Sequence, residues 1–338
     1  MAVKTRLVQP GFALGRRAFT GSVLAATLMG AAEASVVAGT ITVTHWGGQF
    51  YGAPYAVAMD KGFFRQRGVD VTGVLTAAGG GTAVRNTVAG DIPFGEVSLA
   101  AAVQAINAGQ KLSIISAGVQ SVGDQAWAVK RGSTVHSLKD LAGKRIGYTS
   151  PGSVSNMVIL MALKASGMTA AQVKLVPAGD LGANLSATMN GAIDAGFTDE
   201  YELAQNAALV QPAFLVRDVL PPQMMQTVCI IDTAYGRAHP DVVKGLIAGR
   251  REGLEYLKAH SDEAAAITAK AYGVEAAPIA KHFQALLPIN YWSDGRFDYD
   301  AMNRMVEGLQ ITGQLKGAVD WPTMVDTSYL PPDLRAAK

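Results

Sequence analysis

Short runs of β-branched residues alternate along this chain with longer segments whose apolar positions recur every three to four residues. Residues 40–44 form the first such run, which predicts a strand. Residues 53–67 predict a helix that stops at Gly68, where glycine suits a left-handed cap. Further strands are expected at 69–75, 92–97, 111–118 and 125–130, with helices at 82–89 and 99–108. This β-α-β-α rhythm predicts an α/β fold, with helices packed on a largely parallel sheet.

A second unit starts after Arg131-Gly132-Ser133. Strands are expected at 145–148, 173–176 and 228–232, and helices at 154–166 and 185–190. The run 191–197 repeats the pattern of 90–95, a helix end followed by a turn and a buried strand. From Pro240 the pattern is helical, at 241–260, 261–272, 277–287 and 299–312. The arrangement reads as two α/β lobes: residues 35–130 with 228–338, and residues 131–227. Strands at 127–131 and 226–230 would act as hinges. Open α/β sheets place ligands outside the carboxyl ends of their strands, so the cleft between the lobes is the expected site.

The first residues change the picture of where the protein works. Arg16-Arg17-Ala18-Phe19 precedes an apolar stretch at 21–32 and a small-x-small site, Ala32-Glu33-Ala34. That order reads as a cleaved signal peptide over 1–34, with a twin-arginine pair, and places the exported protein in the periplasm. The whole chain has 338 residues and a formal net charge of +2. Residues 1–34 hold four of its 29 Lys and Arg and one of its 27 Asp and Glu. The remainder is close to neutral, without the basic run that nucleic acid or an anionic membrane surface would require. Its single cysteine, Cys229, lies in an apolar run and reads as a small buried hydrophobe. His45, His136, His239, His260 and His282 show no metal-ligand spacing, and no G-x-S-x-G nucleophile motif occurs. No cofactor, metal or catalytic residue is therefore expected, and the protein reads as a monomer.

Candidate ligand contacts follow from the strand ends. The loop His45-Trp46-Gly47-Gly48-Gln49-Phe50-Tyr51 follows the first strand. Trp46 there can stack on a flat ligand and Gln49 can hydrogen-bond to it, unless both pack the lobe core. His45 reads as structural. Gly79-Gly80-Gly81-Thr82 opens a helix, where glycine lets the backbone approach a ligand and free N–H groups attract anions. Gly80, Gly81 and Thr82 are the candidates, with Thr82 as helix N-cap the plainer alternative. Ser98 follows the third strand in the same way.

Three segments then carry a family resemblance. Met59-Asp60-Lys61-Gly62-Phe63-Phe64, Leu138-Lys139-Asp140-Leu141-Ala142-Gly143-Lys144-Arg145-Ile146-Gly147 and Val325-Asp326-Thr327-Ser328-Tyr329-Leu330 resemble the signature segments of periplasmic solute-binding proteins. With the glycine loop and the segment 90–95, they are similar to the aliphatic-sulfonate, nitrate, taurine and thiamine-pyrimidine branch. The resemblance spans about residues 40–330. It implies a two-lobed type II periplasmic-binding fold that delivers a small molecule to the permease of an ABC importer. It also implies that Ser153 and Ser155, in Ser150-Pro151-Gly152-Ser153-Val154-Ser155-Asn156, face the cleft. Asp199 and Glu200 follow a buried strand, with Tyr201 where the family often has proline. Carboxylates there would favour an amine or a nitrogenous ring over a simple anion, the alternative being a solvated helix start. A periplasmic sensory module, or an enzyme on the same fold, is the competing reading.

Overall fold

In the computed structural model, which describes residues 36–77 and 80–336, the apolar runs build two sheets of one design. The expected signal segment and Gly79 lie outside the described residues. In chain order the strands are β1 (Val37–Val43), β2 (Val69–Leu75), β3 (Phe94–Ser98), β4 (Leu112–Ala117), β5 (Gln125–Lys130), β6 (Arg145–Tyr148), β7 (Lys174–Pro177), β8 (Gly196–Asp199), β9 (Val210–Leu215) and β10 (Thr227–Asp232). The first sheet has the order β2-β1-β3-β10-β4. Its first three strands are parallel, and β10 runs antiparallel to both its neighbours. In the second, β6 is parallel to β7, a bridge from Ile146 to Ala195 leads to β8, and β5 runs antiparallel between β8 and β9. The two repeated segments thus end in β3 and β8, which hold the same place in their sheets.

The differences from expectation have local causes. The helix expected over 53–67 is broken into Ala53–Asp60 and Phe63–Gln66 by Gly62, whose φ of 71° leaves the right-handed region. The helix expected at 82–89 begins at Gly80. β9 was not anticipated, because Pro212 lies inside it; the strand stands at a sheet edge, where a missing N–H costs little. β5 falls inside the expected first lobe, yet it pairs with β8 and β9. The chain therefore crosses between the sheets earlier than expected, at 118–124 and 222–226. There Val122 N–H donates to Pro222 O (2.9 Å), Gln226 N–H donates to Val119 O (2.8 Å) and Ser121 bridges to Gln223.

One continuous apolar cluster runs through both sheets. In the second, Trp127 is fully buried and stacked on Phe214 at 5.2 Å, and its Nε1–H donates to Gly147 O (2.7 Å). In the first, β10 is buried along almost its whole length. The returning helices tie the two together. Helix Tyr299–Ile311 packs on helix Val154–Ala165, where a Cβ on Gly308 would stand 2.8 Å from Met157 Cβ. Helix Pro240–Ala259 lies on the first helices through Gly245, Gly249 and Gly253, one turn apart on a single face. Among the described residues, no helix is long and apolar enough to cross a membrane.

A Cβ on Gly253 would overlap the carbonyl oxygen of Pro54, a backbone atom that cannot swing aside. Gly253→Ala is expected to cost about 1–3 kcal/mol through overpacking. A urea-unfolding midpoint equal to that of the parent would show that the two helices separate freely.

Candidate functional site

Because both sheets share one strand order, the carboxyl ends of their parallel strands open onto the same space. Residues after β1, β3, β6 and β7 line a cavity of ≈ 690 Å³ between the sheets. Seven of the expected contacts meet there: Trp46, Gln49, Gly80, Gly81, Ser98, Ser153 and Ser155.

On the first-lobe wall the chain turns at His45, whose φ is 54° and whose carbonyl accepts from Gly48 and Gln49 N–H (3.0 and 2.9 Å). Trp46 is anchored by its N–H to Thr76 Oγ1 (2.9 Å). Its ring lies against Gly52 and edge-on to Tyr272 at 5.1 Å, which makes it a fixed platform. Gln49 is buried, with no side-chain hydrogen-bond partner among the described residues. A Cβ on Gly80 would stand 2.8 Å from both Ser98 Oγ and Ala101 Cβ, so glycine is what lets the two helix starts meet. Ser98 Oγ itself accepts from Ala101 N–H (3.2 Å) and caps helix Leu99–Asn107.

On the facing wall Ser153 caps helix Val154–Ala165, accepting from Asn156 N–H (3.2 Å). Ser155 Oγ is already engaged by Thr149 N–H (2.9 Å), Thr149 Oγ1 (2.9 Å) and Ser153 Oγ (3.0 Å). It shapes the loop more than it offers a free group. Asp180 caps helix Leu181–Asn190, accepting from Ala183 N–H (2.9 Å).

The floor comes from the crossover segments. Gln226 Nε2 donates to the Ser121 carbonyl, which fixes the orientation of its amide. Its Oε1 therefore accepts, from Tyr51 OH (2.9 Å) and Gln125 Nε2 (2.9 Å). Beside it, Thr227 Oγ1 accepts from Val119 N–H (2.6 Å) and donates to Glu96 Oε1 (2.6 Å). Glu96 in turn receives Arg250 Nε–H (2.9 Å), in an ion pair buried from water at both ends.

Three expected contacts do not line the cavity. Thr82 is exposed, accepts from Arg85 (2.7 Å) and lies inside its helix, which starts at Gly80. Asp199 is buried as the N-cap of helix Glu200–Gln205, accepting from Glu202 N–H (2.8 Å). Burial pushes its pKa up to about 7. Glu200 pairs with Arg217. Two residues further round this helix, Glu202 reaches the cavity instead.

Sequence reasoning also missed Asp180, because the helix it caps was expected to begin at 185; it missed the floor residues Gln125, Gln226 and Thr227 as well. His45, read as structural, lines the cavity too. Burial lowers its pKa to about 4, so it is neutral at pH 7. Among the described lining residues Asp180 and Glu202 carry the formal charge, with no Lys or Arg opposite them. Burial raises the Glu202 pKa, partly offset by the Asn206 amide that hydrogen-bonds to it.

Comparison with known proteins agrees with this geometry. The family model described as NMT1/THI5 like matches residues 49–264. The periplasmic aliphatic sulphonate binding protein SsuA of Escherichia coli has a similar structure, at 16% identity and a TM-score of 0.70 over 86% of this chain and 97% of that one. SsuA of Xanthomonas axonopodis pv. citri, solved with MOPS, matches at 16% identity and a TM-score of 0.70 over 88% and 100%. The desulfurization enzyme DSZB matches at 17% identity and a TM-score of 0.62 over 86% and 97%. No curated protein sequence matches significantly. At these identities the structural matches establish the periplasmic-binding-protein fold expected from the sequence.

Glu96→Gln leaves the Arg250 guanidinium buried without a counter-charge and is expected to cost about 3–5 kcal/mol in denaturant unfolding. Adding Arg250→Met should recover more than half of that loss. A double variant as unstable as the single one would assign the effect to packing rather than charge.

Proposed function

Because the chain belongs to the NMT1/THI5-like family, we propose that it is an extracytoplasmic solute-binding protein that passes a small nitrogenous compound to an ABC importer. Export would follow from the signal-like segment at 1–34. The lobes would close on the solute about the crossover segments, and the permease would recognise the closed form.

The observation that carries the ligand class is the charge of the cleft. Asp180 and Glu202 line it without a cation among the described lining residues. A sulfonate or nitrate about 4 Å from a carboxylate would meet a repulsion on the order of 4 kcal/mol at an effective dielectric constant of about 20. Helix starts supply an opposing field. Helices Gly80–Ala89, Leu99–Asn107, Val154–Ala165 and Leu181–Asn190 all begin at the cavity, each with up to roughly half a positive charge. Ser98, Ser153 and Asp180 already take cap N–H groups on three of them. Full carboxylates and partial helix charges then roughly cancel. Such a site suits a ligand with its own donor and acceptor edges. Trp46 adds a flat apolar surface, which favours an amino-substituted pyrimidine or similar ring. The helix starts favour a second candidate, a zwitterionic amino-sulfonate.

The buried position of Cys229 supports binding rather than nucleophilic chemistry. Its thiol contacts Tyr55 OH at 3.3 Å inside the core, where burial pushes its pKa up to about 12.

A thermal-shift panel of aminopyrimidines, taurine, alkanesulfonates, aromatic carboxylates and nitrate tests the ligand class. A true ligand at about 100 times its Kd adds roughly 2.7 kcal/mol of stability. The expected result is a clear shift with the amino-bearing compounds, reduced in Glu202→Gln. A shift with nitrate or unsubstituted alkanesulfonates alone would overturn the assignment.

A further inference from the structure

No stretch of the sequence is basic, yet the strand order of the second sheet gathers cations at one end of it. Its parallel strands meet the cavity with their carboxyl ends, so their first residues lie at the far end. Lys144 and Arg145 lead into β6, and Lys174 opens β7. β5 runs the other way and therefore finishes there, at Lys130 and Arg131. Lys139 lies on the turn Leu138–Leu141 that precedes β6.

Strand pairing makes these ends neighbours. Arg145 stands opposite Lys174, whose N–H donates to Lys144 O (2.8 Å). Asp194, just before β8, donates its N–H to Arg145 O (2.9 Å). β5 is the next strand, and Lys130 Nζ lies 4.0 Å from where a Cβ on Gly191 would stand. From β7 to β5 the row spans three strand spacings, about 14 Å. Lys130, Arg131, Lys139 and Lys174 are exposed and Lys144 is half-buried. Among the described residues none of these five has an ion-pair partner, whereas Arg145 pairs with Asp194 (2.9 Å). Asp140, the other carboxylate of these segments, accepts from His136 N–H (3.0 Å) and Ser137 Oγ–H (2.9 Å). Six cations and two carboxylates thus leave four net positive charges here, on a chain close to neutral beyond residue 34. The acids Asp180, Asp199, Glu200 and Glu202 gather at the opposite end, by the cavity and the crossovers.

Four of the five free cations are lysines, compact charges on flexible stems rather than planar forks that read one carboxylate. Beside them Gly132, Ala142, Gly143, Gly191 and Ala192 are exposed and small. They offer neither the side-chain pockets of a peptide site nor rings on which bases stack. Leu209, 47% exposed, flanks the row, its carbonyl accepting from Arg131 N–H (2.8 Å). Spread positive charge with one exposed apolar side chain fits the phosphates and upper acyl carbons of an anionic lipid surface.

We propose that this end of the second lobe docks on an anionic lipid bilayer through Lys130, Arg131, Lys139, Lys144 and Lys174. Each cation near such a surface strengthens binding about fivefold. The cavity lies at the other end of the strands, so docking leaves it uncovered. That docking would hold the protein beside its permease rests on the solute-binding reading; the docking itself does not.

Co-sedimentation with phosphatidylcholine vesicles, with and without about one-third phosphatidylglycerol, tests this on the whole chain. The parent should bind the anionic vesicles in preference to the neutral ones, and more weakly as salt rises to about 0.15 M. Lys130→Glu with Lys174→Glu should weaken that binding at least about tenfold. Lys258→Glu with Lys281→Glu makes the same change of net charge on exposed residues of first-lobe helices and should leave binding near that of the parent. Residues 1–34 are common to all three proteins, so their contribution cancels. If the reversal variant fails to fold, Lys130→Gln with Lys174→Gln should weaken binding in the same direction. No preference for anionic vesicles, an undiminished patch variant, or equal loss in both pairs of substitutions would overturn the proposal. Capture on immobilised polyglutamate without vesicle binding would assign the face to an acidic protein instead, and would overturn it too. No solute enters these measurements, so failure here leaves solute binding standing, and failure of the ligand panel leaves this result standing.

Discussion

The buried pair of Glu96 and Arg250 is the constraint on which the cleft depends. Glu96 lies on β3, and Arg250 on helix Pro240–Ala259. Through Thr227 the same carboxylate reaches the start of β10, and through Thr227 again the N–H of Val119. Arg250 Nη1 donates to the Ser293 carbonyl (2.8 Å), and the guanidinium lies 5.5 Å from the Tyr55 ring. Five separate passes of the chain are thereby referred, directly or through Thr227 and Arg250, to one carboxylate. A side chain on Gly118 would collide with both Glu96 and Thr227, so the crossover can pass only as glycine. Removing such charges from water offsets most of their attraction, which makes the pair a poor source of net stability. What it supplies is position, since a carboxylate with these partners tolerates only one placement of the floor.

Much of this architecture was legible. The strands at 69–75, 125–130 and 145–148 form over the expected residues, because each apolar run is bounded at one end by glycine or charge: Gly68 before the first, Lys130 and Arg131 at the end of the second, Lys144 and Arg145 at the start of the third. The site residues on strand ends were legible for the same reason. Trp46, Ser98 and Ser153 each follow a recognisable strand, and parallel strands deliver their carboxyl ends to one side. Glu202 escaped because a strand-to-helix turn rotates successive side chains by about 100° each, so neighbouring acids point to different places. Gln125, Gln226 and Thr227 escaped for a deeper reason. They sit on or directly beside the crossovers, two segments far apart in sequence that meet through Val122 with Pro222, Val119 with Gln226 and Ser121 with Gln223.

Fold and recognition are separable here. The chain shares its two-sheet frame with sulphonate-binding proteins at 16% identity. Its cleft nevertheless carries two carboxylates, and its glutamine network is oriented by a backbone carbonyl. A frame built from strand order places whatever residues follow the strands, and those residues decide what is held.

The strand order has one more consequence, for the order of assembly. The second sheet is complete in sequence once β9 ends at Leu215. The first cannot close until β10 arrives, because β4 joins its sheet solely through β10. As the chain emerges in sequence, the later lobe can therefore consolidate while the earlier one still waits for its linking strand. Until then β3 and β4 each present an unpaired edge, the form of surface that recruits other chains. The earlier lobe is the one exposed to misassembly, and the return strand ends that exposure.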